Sequence, residues 1–111
     1  MIIYGESSGG ASSILHVQSC IYSQLPIPQL CVSVSTGWDC MEQGESYITN
    51  ETSELMMTLD LDRWYWKQVL GTMSTDEYIH SLQNPLRDGI SFQQFCPTYI
   101  SVSGAEMLLE V

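Results

Sequence analysis

Ser13-Ile14-Leu15-His16-Val17-Gln18-Ser19-Cys20-Ile21-Tyr22 carries two periodicities at once, and the choice between them sets the expected fold. Leu15, Val17 and Ser19 alternate with His16 and Gln18 as a strand would, while Ile14, Val17 and Ile21 share one stripe of a helix. The β-branched residues tilt the stretch to strand. Pro26 and Pro28 close it, since each restricts the residue before it to extended backbone.

On the N-terminal side, Met1 to Tyr4 is apolar and partly β-branched, a short first or edge strand, and Ser7-Ser8-Gly9-Gly10 reads as a turn or flexible loop. On the other side, Leu30, Val32 and Val34 alternate with Cys31, Ser33 and Ser35, giving a strand that Gly37 ends. Tyr47 to Thr49 leads into a turn at Asn50-Glu51-Thr52-Ser53. The return limb, Leu55 to Leu61, turns Leu55, Met57, Leu59 and Leu61 one way and Glu54, Met56, Thr58, Asp60 and Asp62 the other. That is the pattern of a half-buried strand with an acidic outer face; a helix over residues 54–70 competes, because Leu55, Leu59 and Asp62 also recur at helical spacing.

Asp62 is placed to cap a short helix from Arg63 to Leu70, with Gly71 as its stop. Ser74-Thr75-Asp76-Glu77 has the form of a capping box, and opens a second helix whose stripe is Tyr78, Ile79 and Leu82 and whose end is Asn84-Pro85. Ile90 to Cys96 and Thr98 to Val102 read as the last strands, divided by Pro97, and Ala105 to Val111 as a terminal turn of helix or strand. The expectation is one α+β domain over residues 1–111, with a mainly antiparallel sheet and two short helices.

Charge carries the functional reading. Glu6, Asp39, Glu42, Glu45, Glu51, Glu54, Asp60 and Asp62 precede the first cation, Arg63, and only Lys67 and Arg87 follow it. The net charge of -10 repels nucleic acid and anionic membrane and steers basic partners inward. Hydrophobic residues at 44% and charged residues at only 14% argue for a folded chain. The N-terminus lacks the charged and apolar regions of a secretory signal, and no run reaches the length of a membrane span, so a cytoplasmic location is expected.

Cys20, Cys31, Cys40 and Cys96 are irregularly spaced, so isolated and mostly buried thiols are expected, with no metal and no cofactor. Gly5-Glu6-Ser7-Ser8-Gly9-Gly10 has the glycine density of a phosphate loop but not its Lys-Ser/Thr pair, and Glu6 would oppose phosphate. A serine nucleophile there would need a base, for which the chain offers His16 or His80. Trp64-Tyr65-Trp66 covers most of a helix circumference, so at least one ring should stay partly exposed.

These features together point to a non-catalytic inhibitor of immunity type that blocks a basic effector such as a nuclease. In size and charge the chain is similar to immunity and anti-defence inhibitors. The expected partner surface is Asp39, Glu42 and Glu45, Glu51 and Glu54, Asp60 and Asp62, with Trp38 or Trp64 as the apolar anchor. The partner would be a basic protein, without direct nucleic-acid or membrane binding, and a homodimer is allowed. An accessory or structural subunit, viral ones included, is the alternative; a small enzyme is disfavoured because no triad or metal spacing stands out.

Overall fold

The computed structural model describes residues 1–36, 45–50, 58–85 and 92–102. It begins with β1 (Ile2–Glu6), α1 (Ser8–Tyr22) and β2 (Leu30–Val34). Then come α2 (Ser46–Thr49), α3 (Leu59–Leu70), α4 (Thr75–Ile79), a 3-10 turn at Phe92–Gln94, and β3 (Thr98–Ser101). The three strands form one sheet in the order β1-β2-β3, and both pairings are parallel.

The stretch from Ser13 to Tyr22 is therefore helix, not strand, and this corrects the fold. Ile14 and Val17 are buried on the side of α1 that packs on β1 and β2, with Ile21 partly buried against the same cluster. Burial of that stripe outweighs the β-propensity of its residues, because propensity is the weaker influence where tertiary packing disagrees. The helix also dictates strand direction. A crossover of this length carries the chain back to the starting edge of the sheet, so β2 runs parallel to β1, where a hairpin would have made it antiparallel. Gln24, with φ of 56°, and the Leu25 N–H donating to Cys20 O (2.8 Å) end α1 before Pro26.

The core is the seam between α1 and the sheet. Ile14, Val17, Cys31 and Cys96 are buried there, with Ile3, Ile21 and Phe95 packed around them. Cys20, Cys31 and Cys96 are free buried thiols, and burial first, then the neighbouring Cys96, pushes the Cys31 thiol up from its ordinary value. On the opposite face of the sheet, Tyr4 and Tyr99 flank the half-buried Val32 in register and are 62% and 59% exposed.

Other local expectations divide. The proposed strand limb from Leu55 is α3 from Leu59 on, capped by Thr58, whose Oγ1 accepts from Leu61 N–H (3.2 Å), and not by Asp62; residues 55–57 lie outside the described residues. Asp60 and Asp62 thus occupy the first turn of a helix, where the macrodipole favours carboxylates, and do not form the outer face of a strand. Gly71 stops α3 as expected, at φ of 58°. The capping box at Ser74 and Glu77 is formed in both directions. Tyr47 to Thr49 lies in α2, and Phe92–Gln94 is a 3-10 turn where a strand was expected. No helix among the described residues is long and apolar enough to cross a membrane.

Candidate functional site

Ser7 stands alone between the end of β1 and the start of α1. Its backbone has φ of 55° and ψ of -126°, a conformation that L residues rarely hold without a purpose. Two contacts enforce it. The Ser7 N–H donates to Val34 O (2.9 Å), extending the sheet by one bond, and the Gly10 N–H donates back to Ser7 O (2.9 Å), starting the helix. The chain thus turns from strand to helix within one residue.

The turn is tight enough to need glycine on both sides. A Cβ on Gly5 would collide with Gly9 O and come within 2.5 Å of Ser13 Oγ, and one on Gly10 would collide with Thr36 Oγ1. Gly9, in contrast, faces open space. Ser7 is exposed, and its side chain makes no capping hydrogen bond to α1. Beside its hydroxyl is the N-terminus of a 15-residue helix with no acid in its first turn, where backbone N–H groups and the helix dipole favour a negative oxygen.

The parallel register brings the carboxyl ends of all three strands to this edge: Glu6 pairs with Val34, and Val34 with Ser101. The segments leaving β2 and β3 therefore begin beside Ser7. The acids that follow β2 include Asp39 and Glu42, and those that follow β3 are Glu106 and Glu110; all four lie outside the described residues. His16 is exposed nine residues along α1, roughly 13 Å down the axis from Ser7 at 1.5 Å per residue, with its Nε2 3.6 Å from Cys20 Sγ. It is too far away to be the base for Ser7.

The residues of the proposed acidic surface are described only in part. Trp38, Asp39, Glu42, Glu51 and Glu54 lie outside the described residues. Glu45 precedes α2, and its carbonyl accepts from the Ile48 and Thr49 N–H groups (3.0 Å each). Asp60 is exposed on α3, Asp62 is buried, and Trp64 is 54% exposed with its ring edge-on to Tyr65. Partial exposure of that aromatic run was expected; Trp66 is the half-buried member, edge-on to Tyr78.

The residue that the sequence reading passed over is Ser7. Gly5-x-Ser7-x-Gly9 has the spacing of a nucleophile elbow, in which a serine is presented on a strained strand-to-helix turn. That motif has meaning only between a strand and a helix, and reading residues 13–22 as strand removed the helix.

Comparison with known proteins agrees with this geometry. Residues 1–111 match the family described as the alpha/beta hydrolase fold. An esterase of the bacterial hormone-sensitive lipase family superposes with a TM-score of 0.84 at 25% identity, over 98% of this chain and 35% of that one. A double mutant of the esterase E40 gives 0.84 at 26% identity, with the same coverage of both chains. EstE5, at 21% identity and a TM-score of 0.83, supports the fold alone. The chain spans about a third of the length of these structural relatives. Among curated proteins none matches it. The family overturns the reading as a non-catalytic inhibitor or accessory subunit, which rested on charge, size, exposed aromatics and the lack of a visible triad or metal spacing: the acids constrain solubility and encounter, and they say nothing of the elbow. The chain belongs to the alpha/beta hydrolase fold family.

Proposed function

We propose that residues 1–111 carry the nucleophile of a serine esterase, with Ser7 as the attacking residue. The strained backbone of Ser7 at a strand–helix junction is the observation that carries this reading. In the reaction, Ser7 Oγ attacks the ester carbonyl carbon and its proton passes to a histidine. The tetrahedral oxyanion is held by the Ser8 N–H together with a second donor, and the alcohol leaves with the transferred proton. Water then releases the acid from the acyl-serine by the reverse sequence.

The order of partners in this fold is serine, then acid, then histidine. Glu106 and Glu110 are the acids that follow β3, and one of them is the candidate to orient the base. No histidine follows residue 80 in the sequence, so the base in this reading comes from beyond residues 1–111. The esterase likeness in the structural relatives supports the ester as substrate class.

A chimera tests the reading: residues 1–111 replace the matching third of the hormone-sensitive-lipase-family esterase, which supplies the remainder of its own site. The folded chimera should hydrolyse p-nitrophenyl butyrate and take a fluorophosphonate label at Ser7, and Ser7→Ala should abolish both. Of Glu106→Gln and Glu110→Gln, the one that removes the acid should lower kcat by roughly 10^3 to 10^4. A well-folded chimera that resists the label would reject Ser7 as nucleophile.

A further inference from the structure

We propose that Thr36 is a positioning residue, whose buried hydroxyl, together with Ser33, holds the Ser7 elbow in place. For its catalytic consequence this inference rests on the reading of Ser7 as nucleophile; for its structural content it does not.

Thr36 and Ser33 are buried, at 2% and 0% exposure, although a hydroxyl in such a place must find a partner or cost stability. They partner each other, with the oxygens 2.9 Å apart. Thr36 Oγ1 also donates to Val34 O at 3.3 Å, so the hydrogen between the two hydroxyls comes from Ser33. Val34 O is the same carbonyl that receives the Ser7 N–H at 2.9 Å. The chain of hydrogen bonds runs from Ser33 through Thr36 to Val34 O, the acceptor it shares with the Ser7 amide.

Steric contact adds a second hold. The space beside the Gly10 Cα is filled by these same hydroxyls: a Cβ there would meet Thr36 Oγ1, and Ser33 Oγ at 2.6 Å. The first turn of α1, which carries the Ser8 N–H, is therefore seated on the end of β2. Ser35 makes this possible. Its φ of 48° turns the backbone back so that Thr36 folds under the sheet end, and its N–H donates to Ser101 O at 2.7 Å. One short segment thus ties the ends of all three strands to the elbow. A hydroxyl at residue 36, with its directional donor, fixes the Val34 carbonyl in a way that an isosteric methyl does not.

The test compares Thr36→Val, which keeps the shape and loses the donor, with Thr36→Ser, which keeps the donor. In the 111-residue chain, native-state amide exchange should accelerate about tenfold at Ser7 and Gly10 in Thr36→Val. Amides of β1 and of the second half of α1 should stay near their original rates, and Thr36→Ser should restore slow exchange at the elbow. In the chimera, Thr36→Val should lower kcat about tenfold at unchanged KM, with Thr36→Ser close to the parent. Uniform acceleration across the sheet, or equal behaviour of the valine and serine variants, would overturn the positioning role. An inactive chimera with the localised exchange pattern intact would reject the nucleophile reading and leave the latch standing.

Discussion

The sheet with α1 and the helical segment from Thr58 to Pro85 differ in how much of each helix is buried. In the first, the defining residues are buried: Val17 and Cys31 are fully inaccessible, and Ile14 is close to it. In the second, α3 buries only Asp62 of its twelve residues and leaves Leu61, Trp64, Tyr65 and Val69 exposed. Local signals mark α3 and α4, namely the Thr58 cap, the Gly71 stop and the box between Ser74 and Glu77, while burial is confined to Asp62 in α3 and to Tyr78 in α4, whose ring meets Trp66. One tie to the first region is a buried hydrogen bond from Gln18 Nε2 to Pro85 O. The elbow thus belongs to the part of the molecule that long-range packing holds, as a strained site requires. The aromatic and acidic helix that looks most like a site in the sequence belongs to the part that local signals hold.

The largest way to break this contrast is at the glycines of the elbow. Gly5→Ala and Gly10→Ala should each cost about 3 kcal/mol or more in urea unfolding, because the added methyl meets backbone or buried hydroxyls that cannot move aside. Gly9→Ala, one residue away and facing open space, should change stability by less than about 0.5 kcal/mol or raise it slightly. Three similar values would mean that the turn is not tight.

A smaller effect separates the two apolar surfaces. Ile14→Ala should cost about 2–5 kcal/mol, as a core deletion does. Trp64→Ala, at a half-exposed ring, should stay below about 1 kcal/mol in the same melt. A large loss at Trp64 would make α3 part of the core. The smallest expected change is Ser74→Ala, about 1 kcal/mol, read as fraying of α4 by amide exchange at Glu77 and Tyr78.

What could be read in the sequence follows the same division. The local punctuation was legible: the capping box at Ser74, the stop at Gly71, and the alternation in Leu30 to Val34 that forms β2. So were the positions of the first strand and of Thr98–Ser101. Strand direction was not, because it depends on whether residues 13–22 return the chain to the same edge. Residues 13–22 fit a strand through Leu15, Val17 and Ser19 and a helix through Ile14, Val17 and Ile21, until burial of the second set on the sheet decides. Ser7 was hidden by the same ambiguity, since Gly-x-Ser-x-Gly has no meaning in a flexible loop. The acids of α3 were legible as charge and assigned to the wrong element, because a helix N-terminus and a strand exterior both favour them.

The exposed Tyr4 and Tyr99, on either side of the half-buried Val32, give the net charge of -10 a second meaning, a colloidal one. A parallel sheet is ordinarily covered on both faces, and exposed aromatic side chains on one of them favour stacking on their own kind. In dilute buffer, mutual repulsion keeps two such faces apart. At physiological ionic strength the repulsion fades beyond about 8 Å, and the tyrosines can meet. At low ionic strength, then, the acidity that first suggested a partner acts as a dispersant for the sheet that carries the Ser7 turn.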